Sequence, residues 1–370
     1  MDVDSTAMAF GLLIRTIDGR MAELAAADDG HFREPRDVVV ETELDTQELW
    51  ALPGLADCHA HLASSSHDDE SSEQSPLENA TRNAWAQLEA GVFLVADKGT
   101  GDEVSLQIMD QPPLRRPDLH MAGKVITCVG GYTADYATEV DEADLMDAVS
   151  VVANGDATWV KLIGDWPRKG GPAPTFSEEG YASAVRIAHE AGARVAIHTC
   201  APETATLAVN AGVDSIEHGL FLTADDVERL GARNGAWVPT IMAMTAIRDD
   251  LGADSTGGKL FTQGLGNVRD NLAAAVDAGV SVLAGTDLRL NHGAVASEAI
   301  ALHQYGLTPA QVVHAMTGAA YEYLGTEQGF EPGQHADVAF FDRNPLEDLS
   351  VLADPVILVR RGTLLRNRLT

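Results

Sequence analysis

The chain has 370 residues, with 25 Lys and Arg against 56 Asp and Glu, and a formal net charge of -31. Hydrophobic residues make up 45 % of it, enough for a sizeable core and too many for a disordered chain. The acidic balance speaks against a nucleic-acid backbone or an anionic membrane surface as the main partner, although a bound metal ion can reverse the sign locally.

The apolar run Met8–Ile14 is short and follows acidic residues, unlike a secretory signal. No stretch reaches the roughly 18 apolar residues of a membrane span. Cys58, Cys128 and Cys200 are an odd set without framework spacing, so a reducing compartment is expected and a disulfide scaffold is not. Together these point to a soluble, cytoplasmic protein. Residues 1–50 and 329–370 are rich in β-branched residues and turns, with 37–41 and 336–342 as candidate strands. They predict one small β-sandwich domain built from both termini.

Between them, residues 51–328 alternate apolar runs with helical stretches. The runs are 52–59, 92–97, 124–129, 158–163, 194–198, 213–217, 236–241 and 280–285. Helices are predicted over 178–191, 201–211 and 223–234, and 309–325 reads as the last one. Ser177 and Thr223 stand as caps before acidic first turns. Gly192, Gly212 and Gly279 stand where a helix can end in the left-handed conformation. Eight such units predict an α/β fold, a (β/α)8 TIM barrel. The competing open, doubly wound sheet would carry a Gly-rich phosphate turn after its first strand; here that strand ends in Asp57-Cys58-His59-Ala60-His61. The polar segment 63–76 reads as solvated surface or as a lid at the barrel rim.

Residues two apart on a strand share a side, so His59 and His61 converge as half of a metal site. Cys58 between them reads as packing. His198 and His218 end later runs and Asp287 follows the eighth. Each alone is commonly structural, but together they fall where barrel enzymes keep their catalytic groups. Lys161, one of only five lysines, ends the fourth run. It either snorkels to a surface acid or, held neutral by burial, takes up carbon dioxide as a carbamate that bridges two metals.

These residues identify the chain as resembling the amidohydrolase superfamily, in its imidazolonepropionase-like and Xaa-Pro dipeptidase-like branch. Pro53-Gly54-Leu55, Ile216-Glu217-His218-Gly219, Gly285-Thr286-Asp287, Leu307-Thr308-Pro309, Ala315-Met316-Thr317, the tail 329–337 and Asn344-Pro345 carry the resemblance. It implies a binuclear site of two divalent ions, with zinc expected. His59, His61 and Asp287 would hold one ion, His198 and His218 the other, and carboxylated Lys161 would join them. Metal-bound hydroxide would then attack a small-molecule amide or peptide bond, in a dipeptide, N-acyl amino acid or lactam. Asp287 would move the proton, with His218 beside it among the reacting groups.

Relatives that deaminate carry a Glu three residues after the fifth-strand His; here that position is Ala201. Relatives with one metal lack the bridging Lys. A lactonase, ester or phosphotriester hydrolase on the same site is the alternative, ahead of a deaminase or a silent scaffold. Tyr132, Trp166, Thr240, Arg289 and His292 are expected as substrate contacts or as ordinary rim residues, Arg289 being suited to a carboxylate. Asp97-Lys98 departs from the Arg-Asp usual in relatives, and a homo-oligomer is compatible with the resemblance.

Overall fold

The computed structural model describes residues 8–64, 74–132, 136–168 and 171–369. The fold is mixed α/β and is organised around parallel strands: β1 (Leu55–Ala60), β2 (Val92–Asp97), β3 in two pieces (Asp118–Met121 and Val125–Cys128), β4 (Trp159–Ile163), β5 (Arg194–Thr199), β6 (Ser215–His218), β7 (Ala236–Val238) and β8 (Ser281–Val282). β1, β2 and the first piece of β3 form a three-stranded sheet. The second piece of β3 continues through β4 to β8 in a seven-stranded sheet, with Thr138–Val140 on its outer edge.

Backbone hydrogen bonds link the two sheets on both sides. Thr158 N donates to Met121 O (2.9 Å) and Ala122 N to Asp97 O (3.0 Å) on one side. Cys58 N donates to Ala284 O (2.8 Å) and Thr286 N to His59 O (3.1 Å) on the other. Both strand faces are dry, which is why these segments read as unbroken apolar runs. One face packs with the helices around Leu55, Val95, Val160 and Ile216. The other gathers Ala56, Cys58, Leu94, Ala96, Trp159, Ala196, Val238 and Leu283.

The expected helix starts are present: Ser177 accepts from Gly180 N, and Thr223 accepts from Asp226 N in a reciprocal capping box. Gly212 ends its helix at φ +87°. Three elements differ from the sequence reading. The seventh run stops at Val238, and Ile241 opens a helix, Ile241–Leu251. Thr240 turns left-handed (φ 46°), and the buried Glu298 carboxylate accepts from Ile241 N (2.6 Å) and Met242 N (2.9 Å), supplying the cap that Thr240 does not.

The eighth run keeps only Ser281–Val282 as strand, paired with Ala236 and Trp237 of β7, and Leu283 N gives the last bond to β7, at Trp237 O (3.0 Å). The last helix is split into Pro309–Ala315 and Gly318–Leu324, with Met316 O accepting from Ala56 N (2.8 Å) at the break.

The termini form two four-stranded sheets. One comprises Met8–Arg15, Met21–Ala27, Phe32–Arg33 and Val39–Glu43; the other Trp50–Leu52, Val338–Phe341, Ile357–Arg360 and Thr363–Asn367. Leu12, Ile14, Leu24 and Phe32 from the first share one apolar cluster with Val338, Phe340, Ile357 and Val359 from the second. Trp50–Leu52 pairs with Val338–Phe341, so the terminal sheet extends two residues past position 50. The buried Arg360 guanidinium contacts Asp337 (2.6 Å) and Asp118 at the start of β3 (2.9 Å), pinning the terminal sheet to the parallel strands. Most of the 63–76 segment, residues 65–73, lies outside the described residues.

Candidate metal centre

The C-terminal ends of β1, β4, β5 and β6 and the turn after β8 bring His59, His61, Lys161, His198, His218 and Asp287 together. The donor atoms of His59, His61 and Asp287 all lie within 4.8 Å of one another. Asp287 Oδ1 is 3.5 Å from His61 Nε2 and 3.7 Å from His59 Nε2. The rings of His59 and His218 are 5.1 Å apart, and those of His198 and His218 4.7 Å.

Backbone shape makes this convergence. The pairing of β1 with β2 slips between Asp57 and Ala60, a bulge of the kind that re-aims side chains beside active sites. His218 (φ 64°), Thr240 (φ 46°) and Asp287 (φ 56°) all sit in the left-handed region that L residues adopt at a cost. Gly285 lets the chain after β8 approach β1: a Cβ there would stand 2.6 Å from His59 Cβ and 2.7 Å from Val238 Cγ1.

The histidines are held from behind. His61 Nδ1 bonds Gly99 O (2.6 Å), and His218 Nδ1 bonds Thr240 Oγ1 (2.6 Å). His59 Nδ1 lies 2.7 Å from Glu217 Oε2, whose other oxygen is 3.1 Å from Lys98 Nζ. Such outer partners leave Nε2 free to face a metal and make it a better ligand. Asp57, fully buried, accepts from Thr286 Oγ1 (2.6 Å), Thr286 N (3.1 Å), Gln87 Nε2 (3.0 Å) and His59 N (3.2 Å), tying the end of β1 to the turn after β8. Asp97 accepts from Leu62 N and Gly99 N and stabilises the same rim.

Burial and the neighbouring charges keep the imidazoles neutral: His59 is pushed down to about 4, His218 to about 3, and His198 well below the usual range. His61 moves the other way, because Asp287, Asp97 and the Gly99 carbonyl outweigh burial. Burial opposes the charge on Asp287, yet His59, His61 and His218 hold its carboxyl well below the ordinary range. Burial drives Lys161 down to about 8, and its Nζ has no hydrogen-bond partner. Three imidazoles held neutral, a fourth paired with an ionised carboxylate, and an orphaned buried amine fit a divalent-metal site. The same groups without a cation would leave polar atoms buried and unsatisfied.

The expected rim residues are dispersed in role. Tyr132 and Trp166 meet edge to face at 4.5 Å, their rings 6.5 and 6.3 Å from that of His198, and form an aromatic wall. Trp166 sits on a short hairpin, Asp165–Arg168 with Gly171–Pro174. Thr240 is fully buried with its hydroxyl bonded to His218 Nδ1 and Pro239 O, so it orients the His218 ring. Arg289 contacts Asp250 (2.9 Å) in the helix after β7. His292 is driven down to about 4 by burial and by the nearby His61 and Arg82.

Cys200 is the residue the sequence reading passed over: its Sγ lies within 4.8 Å of the donor atoms of His198 and His218. The signal was available, because His198-Thr199-Cys200 repeats the spacing of His59-Ala60-His61.

A profile of the amidohydrolase family matches residues 50–364. An uncharacterised protein of Mycobacterium tuberculosis is 32 % identical over 325 residues, covering 85 % of this chain and 84 % of that protein. Among solved structures, a Xaa-Pro dipeptidase with bound methionine superimposes with TM-score 0.81 at 23 % identity, covering 98 % of this chain and 100 % of that one. Aspergillus niger ochratoxinase superimposes with TM-score 0.80 at 18 % identity, covering 98 % and 96 %.

Proposed function

The chain belongs to the amidohydrolase family of hydrolases, and on that premise we propose that it is a binuclear metal-dependent amidohydrolase cleaving an amide or peptide bond in a small molecule. The observation that carries this reading is the buried Lys161 Nζ, without a partner, among four imidazoles and a carboxylate. We read the linked sheets as a closed (β/α)8 barrel, a reading supported by the hydrogen bonds on both their sides. The site then occupies the C-terminal face, where the loops are free to shape a pocket.

His59, His61 and Asp287 would hold one divalent ion, zinc by the chemistry of the donors, and His198 and His218 a second. Lys161, brought down to about 8 by burial, holds a fraction of free amine that would add carbon dioxide through Nζ and lose a proton, and the carbamate would serve both ions. When bound, the ions supply positive charge that polarises a carbonyl and acidifies water. Asp287 lies against His59 and His61 and keeps a little exposure to solvent. As an ionised carboxylate, it would accept the nucleophile's proton at Oδ and return it to the leaving nitrogen. Tyr132 and Trp166 give the substrate an apolar wall beside His198. A dipeptide or N-acyl amino acid, with an apolar portion flanking the scissile amide, fits this arrangement. The Xaa-Pro dipeptidase and ochratoxinase likenesses are compatible with it.

The test is elemental analysis with a substrate screen. Two metals per chain and turnover of dipeptides or N-acyl amino acids, lost in Asp287→Asn with substrate binding kept, are expected. One metal at most removes the binuclear assignment, and faster turnover of lactones or phosphotriesters replaces the amide with an ester substrate.

A further inference from the structure

His198, at the end of β5, and Cys200, two residues on, share a side of the extended chain and meet His218 from β6. The three donor atoms lie within 4.8 Å of one another, a separation that small side-chain adjustments close around a single ion. Cys200 is held there from behind. The buried Asp165 carboxylate accepts from both Cys200 N (2.8 Å) and Ala201 N (2.9 Å), fixing the chain just past the strand. The thiol is buried and makes a long contact to Met244 Sδ, 3.8 Å away. The orphaned Nζ of Lys161 belongs to the same buried polar cluster, which independently marks this space as built for a ligand.

We propose that Cys200 Sγ is a further protein ligand of the second metal, so that His198, Cys200 and His218, together with the shared Lys161 carbamate, form a sulfur-containing site beside the nitrogen–oxygen site of His59, His61 and Asp287. This rests on the reading of the protein as a binuclear metal enzyme and adds a distinction between its two metals. Thiolate donors favour soft ions such as zinc, cobalt and cadmium, whereas carboxylate donors also accept manganese. Ligation replaces the S–H proton, which leaves to solvent, and the divalent charge stabilises the resulting thiolate. The two positions therefore differ in affinity and fill in order, the sulfur-containing one first with a soft ion.

Cobalt titration of the metal-free full-length protein tests this by absorption spectroscopy. Visible ligand-field bands report cobalt bound by any of these donors, and a near-ultraviolet sulfur-to-cobalt charge-transfer band reports Cys200. The expected result is a charge-transfer band complete at the first equivalent, absent in Cys200→Ser, whose visible bands remain. Visible bands without charge transfer, or a charge-transfer band that survives in Cys200→Ser, overturn the sulfur ligand and leave the metal enzyme standing. No bound cobalt at all overturns both. Circular dichroism of Cys200→Ser separates loss of a ligand from loss of the fold, and a misfolded variant passes the question to alkylation: metal must shield Cys200 of the unmodified protein from iodoacetamide under mild denaturation, and equal labelling with and without metal overturns the ligand.

Discussion

Glu217 stands 2.7 Å from His59 Nδ1, and neither side chain has appreciable exposure to solvent. A carboxylate in that position orients the ring and raises the donor strength of its other nitrogen. Its second oxygen meets Lys98, itself buried and lying over the Trp159 ring at 4.5 Å. The Asp97-Lys98 pair thus has a structural use. Asp97 holds the rim backbone, and Lys98 balances Glu217.

Glu217→Gln keeps the shape and removes the charge. Metal affinity should fall about 10–100-fold, as for other outer-shell partners. Lys98 would be left as an unbalanced buried charge, costing on the order of 3 kcal/mol of stability. Calorimetric metal titration and thermal melts check both; wild-type values for the two would detach Glu217 from the site.

Lys161→Ala should bind one metal fewer and lose most activity, with little change in melting temperature, because the residue it replaces is a buried amine without a partner. Short carboxylic acids added to the variant should restore part of the activity by standing in for the carbamate. Full activity without them would show that Lys161 bridges nothing.

Glu298 gives a pH signature away from the metals. Burial, opposed by the Met242 and Ile241 amides, raises its carboxyl from 4.5 to about 8. Between those values the folded state holds a proton that the unfolded chain has released. Its contribution to stability is therefore complete below about 4.5 and declines as pH rises towards 8. In Glu298→Gln that slope should vanish, and the stability gap between variant and parent should narrow over the same interval. Urea denaturation across the range reads this directly; a gap that widens with pH would mean the carboxylate is ionised in the fold.

Gly285→Ala would drive a methyl group against His59 Cβ and Val238. The cost expected for overpacking is about 1–3 kcal/mol. If His59 holds a metal as proposed, the clash on it should lower metal affinity along with the melting temperature. A stable variant with intact metal binding would show that the turn after β8 can move away.

The strand rhythm and the convergence of His59 with His61 were legible because both are periodic. Buried parallel strands read as apolar runs, and His59-Ala60-His61 marks a strand end. What escaped notice depends on contacts between distant segments. Ile241 looks like the end of an apolar run, yet Glu298, far along the chain, caps it into a helix. Thr240 looks like a rim hydroxyl until the left-handed turn aims it at His218. Asp57 appears only as part of a motif, while its partners Gln87 and Thr286 come from elsewhere. Cys200 is a different case: its spacing from His198 is visible in the sequence, and only its closeness to His218 depends on the fold.

The three left-handed residues at the centre, His218, Thr240 and Asp287, set stability against activity at the same positions. Glycine or asparagine would fit those backbone angles with less strain, while removing an imidazole, a hydroxyl and a carboxylate that the site uses. Selection for heat resistance alone would favour such replacements, and selection for turnover would eliminate them. Part of the marginal stability of this chain is thus bound up with its active site, and surfaces remote from the strand ends are the safer places to make the protein more robust.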